Sequence, residues 1–136
     1  MALFYADASA LVKLVRQEAE TAALSAFLAG ADIISSELVL TEVPRAVQRA
    51  ASSDPALPLD ALLASADDVL EALALLPVDR GLLLTAGALA EPMLRALDAI
   101  HVASAVAVLP IDGFVTYDDR QAAAARLAGL RTVAPG

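Results

Sequence analysis

The stretch "LFYADASALVKL" (residues 3–14) sets a run of apolar residues directly against an aspartate. Leu3–Ala6 is predicted to form a short buried strand, and Ser9–Arg16 is predicted to form the helix that follows it. Asp7 stands at the junction and has two interpretations. It can cap the helix, because aspartate is a favoured N-cap residue, or it can point into a site that requires negative charge.

The same order of strand and helix recurs along the chain and predicts an α/β fold. The other predicted strands are Asp32–Ser35, Leu75–Val78, Gly113–Tyr117 and Arg131–Ala134. The other predicted helices are Glu18–Leu28, Glu37–Ala51, Leu59–Leu73, Arg80–Leu89, Asp98–Leu109 and Asp119–Ala128. This alternation indicates a parallel sheet of about five strands flanked by helices on both faces. Because no repeat or flexible linker divides the chain, residues 1–136 are predicted to form a single domain.

Composition narrows the class of protein. The chain is 59% hydrophobic and 19% charged, which is typical of a compact globular protein. We find neither an apolar run of the roughly 18 residues that a membrane span needs nor a secretion signal. The absence of cysteine excludes disulfides and zinc–thiolate sites. We therefore expect a cytoplasmic protein without a membrane partner.

The charge balance limits how the protein could bind nucleic acid. A net charge of −8 argues against binding through bulk electrostatic attraction, which requires clustered Lys and Arg. It does not exclude a nuclease that recruits divalent cations, since a bound metal reverses the local charge. Arginine supplies all but one of the nine basic residues, which favours bidentate recognition of phosphate or carboxylate.

A second stretch, "GFVTYDDRQAAAA" (residues 113–125), repeats the opening pattern of strand, carboxylate and helix. In open parallel sheets, functional groups collect at the carboxyl ends of the strands, near the point where strand order reverses. If the two strands are neighbours, Asp7 and Asp118 converge at that edge. Alternatively, Asp118 or Asp119 caps the last helix.

Two further acids lie beside apolar surface: Glu42 in "ELVLTEVPRAV" and Asp98 in "LDAIHVASAVAVL". Burying an unpaired carboxylate is costly, so several acids can lie close together only if a cation compensates them. Mg²⁺ and Mn²⁺ are hard ions that take oxygen ligands and retain several waters. The acids therefore predict a divalent-metal site.

Each of these residues also has a structural interpretation. Asp98 can be a first-turn acid that the helix dipole stabilises, and Glu42 can pair with Arg45 or Arg49 on one helix face. His101 lies three residues after Asp98 and is either a metal ligand or, in the interpretation we favour, a hydrogen-bonded core histidine. Single residues do not decide the matter, whereas the recurrence of acids at strand ends and in apolar contexts favours a shared site.

In combination, these motifs resemble the PIN-domain ribonucleases, and specifically the VapC-type toxins of bacterial toxin–antitoxin pairs. The resemblance spans nearly the whole chain and rests on "YADASALVKL", "SELVLTEVPRA", "LRALDAIHVASA" and "FVTYDDRQAAAARLAGLRTVAP". It implies a PIN-like fold and an endoribonuclease that hydrolyses RNA phosphodiester bonds with one or two Mg²⁺ or Mn²⁺ ions.

Position by position, the resemblance implies four catalytic acids: Asp7, Glu42, Asp98 and Asp118. Three of them, Asp7, Asp98 and Asp118, are the expected metal ligands, and Glu42 is expected to orient or deprotonate the attacking water. Ser9 and Thr116 match the family's small hydroxyl residues beside the site.

Two features depart from the family pattern. Pro44 lies inside a predicted helix, where a missing backbone donor should produce a kink and reposition Glu42. The Asp118–Asp119 doublet leaves two candidates for one carboxylate. We choose Asp118, because it follows the strand that contains Thr116.

The resemblance also implies an RNA substrate, an antitoxin partner and a homodimer. Basic residues within or close to the motifs could form a rim that binds RNA: Lys13, Arg16, Arg45, Arg49, Arg95 and Arg120. The antitoxin is expected to cover the site with its C-terminal segment. The apolar segments "VASAVAVLP" and "LLLTAGALA" suit a core and a dimer interface equally well.

Two alternative functions remain. A non-catalytic interaction module would use the acids as helix caps or docking charges. A Mg²⁺-dependent phosphotransfer domain would need a lysine near a late strand or an Asp-x-Asp opening. The only lysine is Lys13 and the opening reads Asp-Ala-Ser, so the phosphotransfer alternative fits less well.

Overall fold

A computed structural model describes residues 1–136 as five strands and seven helices. The strands are β1 (Leu3–Ala6), β2 (Asp32–Ser36), β3 (Ala74–Leu76), β4 (Gly113–Val115) and β5 (Thr132–Val133). The helices are α1 (Ala8–Val15), α2 (Thr21–Leu28), α3 (Val39–Ser53), α4 (Leu59–Glu71), α5 (Arg80–Gly87), α6 (Ala96–Ala107) and α7 (Asp119–Leu127). The predicted α/β fold is confirmed, and only the ends of the elements shift by a few residues.

All five strands are parallel, in the order β3-β2-β1-β4-β5. From β1 the chain runs outward through β2 to β3, then crosses to the other side of β1 to form β4 and β5. Strand order therefore reverses beside β1, which places the switch-point crevice at the carboxyl ends of β1 and β4. Because Ala6 pairs with Val115 in this register, Asp7 and Thr116 follow at the same level of that edge.

The central strand β1 is buried on both faces because its side chains alternate. Phe4 and Ala6 pack in the core that helices α1 to α4 share, whereas Tyr5 packs with α6 and α7 on the opposite face. There the Tyr5 ring stacks on Phe114 at a centroid distance of 5.2 Å. Helices thus cover both faces of the sheet, as expected for parallel strands.

Helix α3 runs through Pro44 to Ser53 without interruption. Proline removes the backbone donor that would bond the carbonyl of Leu40. Leu40 is an exposed residue of this helix, where water can replace the missing donor. Glu42 therefore belongs to a continuous helix.

The structure distinguishes core from surface in the two apolar segments, "VASAVAVLP" and "LLLTAGALA", which suited a core and a dimer interface equally well by sequence. Residues 102–105 of α6 are buried and contribute to the core, whereas Leu83 and Leu84 of α5 are exposed. The first segment is thus mostly core, and the second leaves apolar surface uncovered. No helix has the length and apolar character needed to cross a membrane.

Candidate active site

Asp7 lies at the carboxyl end of β1 and is only 2% exposed. Four donors surround its carboxylate. Oδ1 accepts hydrogen bonds from Ser9 Oγ at 2.6 Å and from the Ala10 amide at 3.1 Å, and Oδ2 accepts from Thr116 Oγ1 at 2.5 Å and Gln121 Nε2 at 2.9 Å. These bonds compensate the loss of water around a buried charge. The Ala10 bond is a helix N-cap, so the capping interpretation of Asp7 is confirmed.

Ser9 and Thr116 connect Asp7 to the turn between β4 and α7. While each hydroxyl donates to Asp7, its oxygen accepts a backbone amide, from Tyr117 in one case (3.0 Å) and Asp118 in the other (3.1 Å). A hydroxyl can donate once and accept as well, so each of these side chains bonds through both its hydrogen and its oxygen. The buried carboxylate and the backbone that carries Asp118 are therefore held together by two short side chains.

Asp118 caps helix α7, accepting hydrogen bonds from the backbone amides of Arg120 at 2.9 Å and Gln121 at 3.1 Å. It is half-buried and lines the same cavity as Asp7. Asp119, the other member of the doublet, is exposed and does not line the cavity. The geometry therefore agrees with the choice of Asp118 over Asp119.

Asp98 and Glu42 approach the cavity from helices on opposite faces of the sheet. Asp98 lies in the first turn of α6, with its Oδ2 atom 3.7 Å from Nε of the exposed Arg95. Glu42 on α3 forms no ion pair with Arg45 or Arg49, so that alternative is wrong. Instead its Oε1 atom lies 2.6 Å from Nε2 of His101.

All four predicted acids line one open cavity of about 670 Å³. Asp7, Glu42, Asp98 and Asp118 reach it from four different elements, and Ser9 lines it as well. Thr116 does not line the cavity itself. Its hydroxyl donates a hydrogen bond to Asp7, which does. The fold thus brings together acids that are up to 111 positions apart in sequence.

The concentration of negative charge acts most clearly on Asp98, whose pKa is raised. Burial is the largest cause, and the charge of Asp118 comes next, with a smaller contribution from Asp7. The charge of Arg95 opposes the shift only in part. The carboxylates therefore repel one another in the metal-free protein.

The donors at this site suit a hydrated hard cation. No three acidic or histidine side chains are close enough to chelate an ion directly, and both oxygens of Asp7 are already bonded. Mg²⁺ tolerates this arrangement, because it retains several waters and binds through only one or two carboxylates. The residues present therefore fit Mg²⁺ or Mn²⁺.

Sequence reasoning missed two features of the site. Gln121 is the one polar buried residue of α7, and its position one helical turn after Asp118 in an alanine-rich segment was an available signal. Tyr5 hydrogen-bonds to Nδ1 of His101 at 2.8 Å, which no sequence pattern revealed. His101 is 1% exposed and bonded at both ring nitrogens, as the core interpretation predicts.

The basic rim is smaller than predicted. Lys13 lines the cavity, but its charge is already paired, since its Nζ lies 2.9 Å from Glu20 and 3.6 Å from Glu18, over the ring of Tyr117. Three of the predicted rim residues do not line the cavity: Arg16, Arg95 and Arg120. Two arginines, Arg45 and Arg49, line it, are exposed and form no ion pair.

Comparison with known proteins places this architecture in a family. A profile of the PIN domain matches residues 4–127. Ribonuclease VapC35 of Mycobacterium tuberculosis is 39% identical over an alignment of 142 positions, gaps included, which covers 98% of this chain and 98% of that protein. The chain belongs to the PIN-domain family. Within that family it is of the VapC type.

Solved structures have the same fold. The crystal structure of Mycobacterium tuberculosis VapC20, described as a sarcin–ricin loop cleaving toxin, matches with a TM-score of 0.73 and 20% identity, over 97% of this chain and 99% of that one. VapBC2 from Rickettsia felis, bound to a DNA fragment from its promoter, matches with a TM-score of 0.70 and 15% identity, over 98% of this chain and 99% of that one. At these identities, the likeness concerns the fold alone.

The raised pKa of Asp98, caused first by burial and then by the charge of Asp118, leads to a prediction about stability. A carboxyl whose pKa is higher in the folded state contributes stability below its ordinary pKa and loses it as pH rises through the raised value. At pH 7.5 in chelator, Asp98→Asn should therefore raise the melting temperature by about 2 °C, and the gain should vanish near pH 3.5.

The matched control is Asp119→Asn, which removes an exposed first-turn acid that does not line the cavity. It should leave the melting temperature unchanged or slightly lower, because a first-turn acid favours the helix dipole. Equal effects of the two variants at pH 7.5 would contradict the repulsion.

Proposed function

We propose that the protein is a divalent-metal-dependent endoribonuclease that acts as the toxin of a type II toxin–antitoxin system. One observation carries the proposal: four carboxylates from four elements line one cavity at the switch point of a parallel sheet. Family membership and the ribonuclease relatives support the same chemistry. Residues 1–136 would act as a single ribonuclease domain.

The carboxylates would have different roles, depending on whether their oxygens are free or already hydrogen-bonded. A bound Mg²⁺ or Mn²⁺ would lower the pKa of a coordinated water and offset the charge that develops on the phosphate. Asp98 and Asp118 have free carboxylate oxygens and would hold the ion directly or through water. Asp7 has both carboxylate oxygens bonded to donors, so it would contribute charge and orientation.

Glu42 has the contacts of a general base. Only one of its oxygens has a protein partner, His101, and the side chain is 21% exposed at the cavity. The second oxygen is thus available to orient and deprotonate the attacking water. Its helix, α3, also carries the arginines of the rim.

Arg45 and Arg49 would bind the phosphates that flank the scissile bond. They lie one helical turn apart on α3 and are exposed and unpaired at the cavity. A guanidinium binds phosphate bidentately and always carries charge. Local contacts of this kind allow an acidic protein to bind RNA without bulk attraction.

The proposed partners follow from the family. The relatives include VapC ribonucleases, and VapBC2 is the name of one structural neighbour, so we propose a cognate antitoxin whose C-terminal segment covers the carboxylates and inhibits cleavage. We also propose a homodimer that covers exposed leucines such as Leu83 and Leu84. Acting on cellular RNA would place the protein in the cytoplasm.

The interaction module is the second candidate. It is favoured by the capping bonds of Asp7 and Asp118, which account for those two acids without chemistry. It does not explain why Asp98, which caps nothing, is half-buried at the same cavity. A cleavage assay separates the two functions.

Asp98→Asn should abolish RNA cleavage while keeping the protein folded. Purified wild type is incubated with a cellular RNA pool in Mg²⁺, in Mn²⁺ and in chelator. We expect discrete, metal-dependent cleavage that falls by about 100-fold or more in Asp98→Asn, because a carboxylate of the metal site is lost. Fragment ends are mapped to find the cleavage site.

Asp119→Asn serves as the control and should cleave as wild type does. Since the Asp98 variant should be at least as stable as wild type, its loss of activity cannot come from unfolding. Absence of wild-type cleavage under every metal would favour the interaction module, whereas equal cleavage in metal and in chelator would contradict the proposed metal dependence.

Charge reversal at Arg45 or Arg49 should weaken RNA binding without affecting the fold. We expect KM for an oligonucleotide that spans the mapped site to rise several-fold, and the slope of log K against log salt to fall by about 0.7 per phosphate contact. Arg80→Glu, on α5 away from the cavity, is the control. If reversal at the rim has no more effect than at Arg80, the RNA does not contact these arginines.

A further inference from the structure

A buried hydrogen-bond chain leads from the core of the protein to the cavity. It begins at the Tyr5 hydroxyl, passes through both ring nitrogens of His101, and ends at Oε1 of Glu42. Tyr5 is 0% exposed and His101 is 1% exposed, whereas Glu42 reaches the cavity. Its residues belong to β1, α6 and α3, so it connects the central strand with helices on opposite faces of the sheet.

The position of the Tyr5 proton determines the state of the imidazole. Tyr5 is fully buried, and a phenol carries its proton at neutral pH. The hydroxyl lies 2.8 Å from Nδ1 of His101. The Ser35 and Ser104 hydroxyls are also hydrogen-bonding neighbours of Tyr5. Each of them donates to a backbone carbonyl, so Nδ1 is the partner at short hydrogen-bond distance that can take the Tyr5 proton. A buried donor needs an acceptor, so this nitrogen accepts and cannot carry a proton at the same time. The ring proton then lies on Nε2, which faces Glu42.

The N–H of His101 acts on one carboxylate oxygen and leaves the other free. Glu42 has no side-chain hydrogen bond besides the one to His101, and it forms no ion pair with an arginine. A neutral imidazole donor orients the carboxylate without cancelling its charge. The oxygen without a partner is free to accept a hydrogen bond from a water in the cavity, as a water-activating group requires.

We propose that Tyr5 and His101 position Glu42 for the reaction, with Tyr5 holding the imidazole as its Nε2–H tautomer and His101 fixing one oxygen of the carboxylate. This inference rests on the proposed ribonuclease function. Tyr5 and His101 are positioning residues, since neither reaches the substrate. An orienting partner of this kind typically changes activity by about 10–100-fold when it is lost.

The tautomer can be measured without any activity assay, because His101 is the only histidine in the chain. In ¹⁵N-labelled protein, the ring nitrogen spectrum should show an unprotonated Nδ1 and a protonated Nε2. Tyr5→Phe should lose this signature, because the ring can then rotate and Nδ1 can take a proton. A wild-type ring protonated at Nδ1, alone or together with Nε2, would overturn the proposal.

Two substitutions at His101 separate positioning from packing. In His101→Gln the amide nitrogen reaches about as far as Nε2 and can still donate to Glu42, whereas the shorter His101→Asn side chain cannot. With the mapped oligonucleotide, we expect kcat to fall less than about fivefold in the Gln variant and at least about tenfold in the Asn variant. KM should stay within about twofold in both, because RNA contacts are unchanged.

Tyr5→Phe should likewise lower kcat by about tenfold at constant KM, and Ser36→Ala is its control. Ser36 is a buried residue of β2 that does not line the cavity, and its hydroxyl accepts a hydrogen bond from the Leu38 amide. This variant therefore loses a buried hydroxyl outside the hydrogen-bond chain and should retain activity. Equal kcat losses in the Gln and Asn variants, or in the Tyr5 and Ser36 variants, would show that His101 only packs in the core.

The experiments distinguish failure of the proposed ribonuclease function from failure of the positioning inference. If the wild type does not cleave RNA, the proposed function is overturned, and the ring spectrum still decides whether Tyr5 sets the tautomer. If the wild type cleaves while Tyr5→Phe alters neither kcat nor the ring spectrum, the positioning inference is overturned and the ribonuclease proposal stands.

Discussion

The buried carboxylate of Asp7 is the constraint on which the site depends. Its four donors come from the α1 N-terminus, the end of β4 and helix α7, so one side chain joins the elements that border the switch point. Burying a charge without these bonds would cost several kcal/mol. The result is a rigid edge at the centre of the sheet, to which the other acids are added from the turn and the flanking helices.

Asp98 occupies an unfavourable position. It caps no helix, and burial, together with the negative charges of Asp118 and Asp7, raises its pKa. Ionisable groups with a shifted pKa are frequent at functional sites, where a specific partner stabilises their charged form. Glu42 differs, because His101 supplies a hydrogen bond in place of repulsion. The cavity therefore combines a buried, bonded acid, acids that repel one another, and one acid that is held through a single oxygen.

The sequence was sufficient for the fold because its signals were local. Short apolar strands alternate with helical periodicity, and the register of β1 against β4 follows once the strands are neighbours. The convergence of the acids was predictable from the same rule, since carboxyl ends of parallel strands share one edge. Lys13 lines the cavity, but its ion pairs were missed because its partners, Glu18 and Glu20, become neighbours only after the chain turns into α2. The bond from Tyr5 to His101 joins residues 96 positions apart, and no periodicity marks such a contact. The assignment of individual acids as metal ligands remains a prediction.

The most direct test of a metal site among these carboxylates is thermal melting of the wild type and Asp98→Asn across a Mn²⁺ or Mg²⁺ titration. A ligand that binds only the folded state raises the melting temperature by mass action. The account predicts a rise in the wild type at millimolar metal and little or none in Asp98→Asn. A flat wild-type curve, or the same rise in both proteins, would contradict it.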